Sequence, residues 1–326
     1  MGGSVTMRYL VTGGAGFIGS NYVRGLIDGR WGVSPASVVV LDNLTYAGNL
    51  ANIDTCDNDP RFSFIKGSIT DSLLVADLIK DVDIVVHFAA ESHVDRSING
   101  SAVFVETNAV GTTVLLEAAR KSEIQTFLHV STDEVYGSVP KGSSIESDPL
   151  LPNSPYAASK AASDLIARSF FQTYNFDVRV TRCSNNFGPF QNIEKVIPLF
   201  ITNLLNDKKV PLYGTGGNVR DWLHVDDHCR GIQLVIDKGR AGEIYNIGGG
   251  VELSNLELTH LILNVLDKSI DMIEPVADRL GHDLRYSVDY SKIKQELGYV
   301  PARSLNQDLP MLVEWYTSNK SWWSKK

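Results

Sequence analysis

Three polar residues that can hold or transfer protons follow directly on one apolar segment of the chain. The segment TFLHVS, residues 126–131, has the composition of a buried strand, and Thr132, Asp133 and Glu134 come next. A hydroxyl can hold a substrate oxygen, and two carboxyl groups in different protonation states can act as acid and base on adjacent carbons. Since a solvated loop would hold the same residues at little cost, the assignment depends on what else the sequence brings to this site.

A glycine-rich segment near the N-terminus has the spacing of a dinucleotide-binding turn. In LVTGGAGFIGSNYV, Gly13, Gly16 and Gly19 lie between a strand-like run and a helical pattern. Glycines there permit a tight turn and close approach of a pyrophosphate to the helix N-terminus. Asp42 closes the next strand-like run, where an acidic residue binds the adenosine ribose. Because a carboxylate disfavours the 2′-phosphate of NADP, the predicted cofactor is NAD.

A tyrosine and a lysine four residues apart form a candidate base. Tyr156 and Lys160 lie in SPYAASKAASDL, and at this spacing they share one face of a helix. A free tyrosine, with a pKa near ~10, is a poor base at neutral pH. An adjacent ammonium and a nicotinamide cation would both favour the phenolate, so we expect the pKa of Tyr156 to be lowered.

The elements that must position these residues alternate between short apolar runs and helical patterns. Runs apolar on both faces belong to parallel sheets covered by helices, so we predict an α/β fold, a doubly wound parallel sheet of the Rossmann type. The predicted strands are RYLVTG, SVVVLD, FSFIKG, DIVVHFAA, TFLHVST and DVRVTR, and the predicted crossover helices span residues 17–29, 71–80, 102–122 and 154–174.

In the second part of the chain, short apolar runs and helical patterns no longer alternate regularly. This change predicts a smaller, mixed C-terminal lobe that binds substrate. We expect an NAD-binding domain of residues 1–184 plus about 221–248, interleaved with a nucleotide-sugar-binding lobe of residues about 185–220 plus 249–326. The C-terminal SWWSKK, with its adjacent tryptophans, is expected to dock on the body of the protein.

The composition of the chain argues against several classes of function and location. A net charge of −8 argues against nucleic acid and anionic membrane surfaces as partners. The chain has no apolar run of roughly 20 residues, its N-terminus lacks the apolar centre of a signal peptide, and its 3 cysteines have no CxxC spacing, so we expect a cytoplasmic protein with reduced thiols. His224 and His228 have metal-ligand spacing, but we interpret the segment as a helix start capped by Asp226 or Asp227 and predict no metal.

Six segments in order resemble the extended short-chain dehydrogenase/reductase superfamily: TGGAGFIGS, HFAAESHVDRS, STDEVYGS, PYAASK, RCSNNFGP and VRDWLHVDD. Further segments, among them DNLTYAGNLANI, NNFGPFQNIEKVIPLF and GHDLRYSVD, resemble the dTDP-glucose 4,6-dehydratase family, and the likeness covers nearly the whole chain. The resemblance implies that tightly bound NAD serves the conversion of dTDP-glucose to dTDP-4-keto-6-deoxyglucose. That conversion consists of C4 oxidation, 5,6-elimination of water, and hydride return to C6 with reprotonation of C5.

The resemblance also implies a role for each catalytic residue. Tyr156 would take the O4 proton, Thr132 would hydrogen-bond the same oxygen, and Lys160 would hold the nicotinamide ribose. Glu134 would take the C5 proton while Asp133 protonates the departing C6 hydroxyl. In a regular strand Asp133 would point away from both of its neighbours, so we predict that the backbone leaves strand geometry there. Tyr136, just before Gly137, is expected to pack rather than to react.

The binding residues are likewise assigned by resemblance. The cofactor would contact Gly13, Gly16, Phe17, Ile18, Gly19, Asp42, Leu44, Thr45, Ser68, Ile69, Ala89, Ala90, Thr107, Tyr156 and Lys160. The substrate would contact Ser92, Thr132, Asn185, Glu194, Lys195, Pro211, Tyr213, Arg220, Asn255, Arg279 and His282. Arginines suit a diphosphate because they present forked donors. Ser68 stands where the family usually has an aspartate near the adenine, which we expect to weaken adenine binding slightly.

Three alternatives share parts of this pattern. A nucleotide-sugar 4-epimerase or a glucuronate decarboxylase would use the same tyrosine and lysine, but an epimerase needs no acid/base pair beside them. A non-catalytic NAD-sensing regulator could dispense with the tyrosine and lysine altogether. The helical segments 102–122 and 154–174 have apolar positions to spare, and we expect them to pair in a homodimer.

Overall fold

The strands converge on one parallel sheet and two small accessory sheets. The structure is a computed structural model that describes residues 6–324; residues 1–5 of the segment assessed for a signal peptide, and residues 325–326 of the SWWSKK tail, lie outside it. The strands are β1 (Arg8–Thr12), β2 (Ser37–Asp42), β3 (Phe62–Lys66), β4 (Ile84–His87), β5 (Thr126–Thr132), β6 (Val178–Cys183), β7 (Asn185–Phe187), β8 (Val210–Tyr213), β9 (Val219–His224), β10 (Ile244–Ile247), β11 (Glu252–Ser254) and β12 (Ile273–Val276).

The main sheet has the order β10-β6-β5-β4-β1-β2-β3, and every neighbouring pair is parallel. Successive side chains of a strand point to opposite faces, and β1 shows the consequence: Tyr9 and Val11 join one apolar cluster, whereas Leu10 joins the other. The doubly wound parallel sheet predicted from the sequence is confirmed. All six predicted strands belong to it, and β10, which lies in the strand-like run EIYNIGGG, forms one edge.

The helices cover both faces of this sheet and the smaller lobe. They are α1 (Phe17–Asp28), α2 (Ser72–Leu78), α3 (Val94–Asn99), α4 (Ala102–Val105), α5 (Thr112–Lys121), α6 (Pro155–Tyr174), α7 (Val196–Leu205), α8 (Val225–Lys238), α9 (Asn255–Val265), α10 (Ser291–Leu297), α11 (Leu305–Ser318) and α12 (Lys320–Trp323). A π-helical turn, Glu106–Gly111, joins α4 to α5, so the helix predicted over 102–122 is present with one widened turn. Among residues 6–324, no helix combines the length and apolar character needed to cross a bilayer.

The residues at its two ends determine where helix α6 begins and where it ends. The Ser154 hydroxyl accepts a hydrogen bond from the amide of Ala157, and Pro155 occupies the first turn, where its missing N–H costs nothing. Asn175 ends the helix in the left-handed conformation. These ends place Tyr156 in the first turn and Lys160 one turn later.

The helix α8 begins two or three residues earlier than the sequence predicted. His224, not Asp226 or Asp227, is the N-cap, and its ring nitrogen accepts a hydrogen bond from the amide of Asp226. The reason is that β9 keeps the chain extended through His224, so the first helical turn starts at Val225. The Asp227 carboxylate instead accepts two backbone N–H groups from the segment before α11.

The smaller lobe is mixed, as predicted. In it β11 pairs antiparallel with β9, β7 pairs parallel with β9, and β8 pairs parallel with β12. The helices α7, α9 and α11 enclose a separate apolar cluster whose buried members include Phe187, Phe200, Trp222, Leu258 and Tyr316. Trp323 is buried in the same cluster and Trp322 packs against it, which confirms that the described part of the C-terminal tail docks on the body.

Candidate active site

The site lies where the carboxyl ends of β1, β4, β5 and β6 meet the smaller lobe. One cavity of about 370 Å³ is lined by the ends of these strands, and a second of about 180 Å³ is lined largely by the smaller lobe. Glu134, Asn185 and Lys195 line both cavities. Ligands of open α/β sheets bind at this edge, so the two cavities together suit a cofactor and an elongated substrate.

The glycine turn can accept no larger side chain. Gly13 has a φ of +73°, and a Cβ atom there would lie 2.6 Å from the amide nitrogen of Ala89. A Cβ at Gly19 would lie 2.3 Å from the carbonyl oxygen of Gly13. No side chain caps α1 at Gly16, so the first-turn amides remain free to bind a phosphate. The residues present therefore fit the pyrophosphate of a dinucleotide.

The Asp42 carboxylate is fixed at the end of β2. Its two oxygens accept hydrogen bonds from the amides of Ala15 (2.9 Å) and Leu44 (2.8 Å). Burial raises its pKa, and the two amides oppose that rise. Asp42 lines the larger cavity, and each oxygen keeps a lone pair for a ribose hydroxyl. Leu44 does not line the cavity; its contribution is the amide that orients Asp42.

The chain leaves strand geometry at Asp133, as predicted. Here β5 ends at Thr132, and Asp133–Tyr136 form one 3₁₀ turn. The Thr132 hydroxyl accepts a hydrogen bond from the amide of Glu134 (3.3 Å) and donates one to the Asp133 carboxylate (3.2 Å). Gly137, with a φ of +76°, ends the turn against the carbonyl of Leu151. The turn brings Thr132, Asp133 and Glu134 to one cavity wall, which a continued strand would not do.

Tyr156 and Lys160 line the same cavity from α6. Both side chains are buried, and the Lys160 ammonium donates to the carbonyl oxygen of Val130 at 2.8 Å. Burial lowers the pKa of Lys160 to about 8. The lysine is thus held in place by the strand that ends in the acid/base turn.

The expected lowering of the Tyr156 pKa is wrong for the protein alone. Burial raises this pKa well above its ordinary value, and the charges of Glu134, Cys183 and Asp133 raise it further. The hydrogen bond from Thr132 opposes the rise only weakly. The physical reason is that a buried phenolate is poorly solvated and is destabilised by the nearby negative charges.

The two carboxyl groups of the turn have different surroundings. Burial raises the pKa of Asp133 well above its usual range, and the negative charges of Glu134 and Asp221 add to that effect. Burial also raises the pKa of Glu134, but Lys195, Arg220 and Arg279 oppose the rise. Asp133 is therefore the group that holds a proton more readily, and Glu134 is the one that cations help to ionise.

A buried polar network supports the turn from behind. The Asp164 carboxylate on α6 bonds the Arg182 guanidinium (2.8 Å) and lies 3.3 Å from the His129 ring. Burial would raise the pKa of Asp164, but His129 and Arg182 hold it at about 2. Arg182 also donates to the Tyr136 hydroxyl (2.8 Å), which donates to Asn246 (2.8 Å). Tyr136 therefore packs behind the cavity and does not line it, as expected.

His87 and His228 also make buried structural contacts. His87 contacts the hydroxyls of Thr12 (2.7 Å) and Thr112 (2.9 Å), and it is buried in the sheet. His228 is fully buried and bonds the Asn186 amide at 2.9 Å.

The second cavity is rich in cations. The Arg220 guanidinium bonds the carbonyl of Asp283 (3.0 Å) and stacks over the Tyr286 ring at 4.2 Å. Arg279 pairs with Asp95, and its guanidinium lies 5.3 Å from the Tyr213 ring. Fork-shaped donors held against aromatic faces suit a diphosphate joined to a planar base.

Most of the residues predicted to bind ligands line one cavity or the other. The larger cavity is lined by Gly13, Gly16, Phe17, Ile18, Gly19, Asp42, Thr45, Ser68, Ile69, Ala89, Ala90, Ser92, Thr107, Thr132, Asn185 and Lys195. The smaller one is lined by Asn185, Glu194, Lys195, Pro211, Tyr213, Arg220, Asn255, Arg279 and His282. Ser68 bonds the Thr70 hydroxyl at 2.7 Å. Glu194 forms an ion pair with Arg96, so its carboxylate is partly engaged before any ligand binds.

Sequence reasoning missed two groups in these walls. Glu91 is buried at the larger cavity, where burial raises its pKa, and its amide bonds the Asn108 side chain at 2.8 Å. Its position after the two alanines that follow β4 could have indicated it. Asp283 and Tyr286 line the smaller cavity and bond each other at 2.6 Å. They lie in the irregular segment GHDLRYSVD, whose resemblance to the dehydratase family was the only sequence signal that could have indicated them.

Comparisons with known proteins agree with this geometry. The family model described as GDP-mannose 4,6 dehydratase matches residues 10–311. A dTDP-glucose 4,6-dehydratase of Streptomyces antibioticus is 55% identical over 97% of this chain and 94% of its own length.

Solved structures separate the dehydratases from another enzyme class on the same fold. The dTDP-glucose 4,6-dehydratase DesIV of Streptomyces venezuelae, solved with NAD and dTDP bound, is 58% identical, with a TM-score of 0.96 and coverage of 97% of this chain and 99% of its own. A UDP-glucuronic acid 4-epimerase of Bacillus cereus, solved with UDP-glucuronic acid and NAD, has a TM-score of 0.89 with 96% and 99% coverage, but only 27% identity. The backbone is thus common to both classes, and the sequence lies much nearer the dehydratase.

Proposed function

The chain belongs to the nucleotide-sugar 4,6-dehydratase family, among the dTDP-glucose 4,6-dehydratases, and we propose from this premise how its residues convert dTDP-glucose to dTDP-4-keto-6-deoxyglucose. The enzyme is an NAD-dependent hydro-lyase. The observation that carries the assignment of roles is the turn at Asp133. It places two carboxyl groups with different surrounding charges, together with Thr132, on the wall that also holds Tyr156.

The first task of these residues is to remove the proton of the sugar O4. Bound NAD would accept hydride from C4 and return it to C6, and its cationic nicotinamide would favour the Tyr156 phenolate. Tyr156 takes the O4 proton, and Thr132 orients the oxygen through its hydroxyl. Lys160, anchored on the carbonyl of Val130, holds the nicotinamide ribose.

The second task is the elimination of water across C5 and C6. The ketone at C4 acidifies the C5 hydrogen, and Glu134, ionised with the help of Lys195, Arg220 and Arg279, takes it. Asp133 carries the proton that the departing C6 hydroxyl requires, since burial favours its neutral form. One Asp133 oxygen, Oδ2, is buried without a hydrogen-bond partner among residues 6–324, which leaves it available to that hydroxyl.

The nucleotide portion of the substrate occupies the smaller cavity in this proposal. Arg220 and Arg279 bind the diphosphate, and Tyr213 and His282 enclose the base and its sugar. Asn185, whose side-chain oxygen has no partner within the described part of the chain, accepts a hydrogen bond where the two cavities meet.

The decisive experiment compares nucleotide sugars as substrates of the purified protein. Incubation with dTDP-glucose should produce the alkali-induced absorbance of a 4-keto-6-deoxy sugar, whereas UDP-, GDP- and CDP-hexoses should react much more slowly. An equal or faster reaction with another nucleotide would contradict the assignment of the base. Appearance of a C4 epimer without loss of water would contradict dehydration itself.

We also propose how the chain is divided into domains and how it assembles. We infer interleaved units of residues 1–184 plus about 221–248 and about 185–220 plus 249–326, supported by the separate apolar cluster of the smaller lobe. Val103, Val105, Val110 and Leu165 are about half exposed on the α4–α5 and α6 surfaces, which supports a homodimer through these helices. Light scattering should give twice the chain mass, and Leu165→Glu should reduce it to that of a monomer.

A cytoplasmic location is supported by the chemistry of the cysteines. Cys56, Cys183 and Cys229 are buried and unpaired, as thiols of a reducing compartment are. Cell fractionation should recover the protein with cytoplasmic markers; recovery from an oxidising compartment would contradict the inference.

A further inference from the structure

The described end of the C-terminal tail is linked to the glycine turn by hydrogen bonds that pass through one asparagine. The Trp322 indole N–H donates a hydrogen bond to the side-chain oxygen of Asn52 at 2.9 Å. The side-chain amide of the same Asn52 donates to the carbonyl of Ala15 at 2.9 Å. Ala15 lies inside the glycine turn, and its amide donates to Asp42 at 2.9 Å. A chain of three hydrogen bonds thus joins the tail to the carboxylate assigned to the adenosine ribose.

Asn52 is a buried junction and not a surface contact. It is 2% exposed, and it lies in the short 3₁₀ helix Leu50–Asn52 that follows β2. Its own carbonyl accepts a hydrogen bond from the guanidinium of Arg24, which lies on α1, the helix that follows the glycine turn. Since each polar atom of its side chain has a partner, loss of one partner would leave a buried group unsatisfied.

Aromatic side chains of the smaller lobe hold the end of this hydrogen-bond chain that lies in the C-terminal tail. The Phe190 ring lies 4.7 Å from that of Trp315 and 5.8 Å from that of Trp322. The Arg24 guanidinium stacks over Phe190 at 4.3 Å. Arg24 and Trp322 therefore approach Asn52 together, one from the NAD-binding side and one from the tail.

From this arrangement we infer that Trp322 and Asn52 are positioning residues for the cofactor, and that the C-terminal tail slows the release of NAD by fixing the glycine turn. The inference rests on the proposed function only in that NAD is the bound dinucleotide. Neither residue lines the cavity, so the effect is transmitted through Ala15 and Asp42. An enzyme that oxidises and reduces one substrate within a turnover gains from a cofactor that stays bound, and this contact supplies that retention.

The neighbouring tryptophan provides a matched control. The Trp323 indole N–H donates to the carbonyl of Tyr316 at 2.8 Å, within the smaller lobe, and its ring is also buried. Trp322→Phe and Trp323→Phe each remove one indole donor while keeping an aromatic ring. Only the first breaks the connection to Asn52.

The test measures NAD release directly. Isotope-labelled NAD is bound to the purified full chain, excess unlabelled NAD is added, and retained label is followed by rapid gel filtration. We expect Trp322→Phe to release NAD roughly fivefold to tenfold faster than wild type, and Trp323→Phe to release it at the wild-type rate. At saturating NAD the kcat of Trp322→Phe should be unchanged, as should its affinity for dTDP measured by calorimetry.

A second variant tests the junction itself. Asn52→Asp keeps an acceptor for Trp322 but removes the donor to Ala15, so it should also speed NAD release, and adding Trp322→Phe should bring little further change. Wild-type release from Trp322→Phe, or equal acceleration in Trp323→Phe, would overturn the inference even if Asn52→Asp does not fold. Failure of the wild-type chain to bind labelled NAD at all would instead overturn the proposed function.

Discussion

Glu134→Gln should separate the oxidation step from the elimination step. Glutamine keeps the size of the side chain and its place on the 3₁₀ turn, but it cannot accept the C5 proton. Loss of a positioned general base costs about 10²- to 10⁴-fold, or about 3–5 kcal/mol of transition-state stabilisation. We therefore expect dehydration to fall by that factor while C4 oxidation persists, so that reduced nicotinamide accumulates in a single turnover.

The structure adds a second consequence that a merely damaged site would not show. The charge of Glu134 is the largest electrostatic contribution that raises the pKa of Tyr156, and it also raises that of Asp133. Removing the charge should lower both values. The pH profile of the oxidation half-reaction should then move to lower pH, since the phenolate forms more readily.

Isotope exchange provides the assay and its control. In deuterated water the base alone should exchange the C5 hydrogen of the bound ketone, whereas the acid is needed only for loss of water. Asp133→Asn should therefore keep C5 exchange, and Glu134→Gln should lose it. Near-normal dehydration or undiminished C5 exchange in Glu134→Gln would refute the base role, and an unshifted pH profile would refute the electrostatic reasoning.

Three further predictions concern the tyrosine, the adenine site and acid stability. Tyr156→Phe should lose most hydride transfer, seen as absent reduced nicotinamide in a single turnover; unchanged formation would refute the assignment. Ser68→Asp should tighten NAD binding by about 1 kcal/mol, roughly fivefold by calorimetry, because a charged acceptor replaces a hydroxyl; equal or weaker binding would exclude that role. Burial lowers the pKa of His228 from 6.5 to about 3, so the unfolded state binds its proton first, and this contribution to stability, present above pH 6.5, is lost as pH falls toward 3. Thermal melts should show His228→Gln with a shallower loss of stability than wild type over that range, and parallel curves would contradict it.

The candidate site was predictable from sequence where its chemistry depends on local pattern. The glycines of the cofactor turn, the Tyr156–Lys160 spacing and the strand that ends at Thr132 each act through neighbours in the chain. Steric exclusion explains the glycines: a Cβ at Gly13 or Gly19 would meet backbone atoms. The departure from strand geometry at Asp133 was also predictable, because three adjacent side chains can face one ligand only if the strand ends.

The other properties of the site depend on groups that are distant in sequence. The three cations that oppose the pKa rise of Glu134 come from residues 195, 220 and 279, and no spacing rule brings them together. The pKa of Tyr156 rises where the pattern predicted a fall, because desolvation depends on everything packed around the phenol. The cap of α8 is His224 because β9 extends to that residue, and the partner of Trp322 is Asn52, 270 positions away.

By itself, then, the sequence predicted the fold class and the cofactor, since these depend on short-range periodicity, backbone sterics and side-chain chemistry, and its resemblance to a known family implied the reaction and the residues proposed to carry it out. Only the tertiary structure decided which charges surround each of the two carboxyl groups, where the polar groups behind the turn find partners, and how the C-terminal tail meets the glycine turn. Those properties arise from burial and from charges at distances of a few ångströms between segments far apart in the chain, and they exist only once the chain has folded.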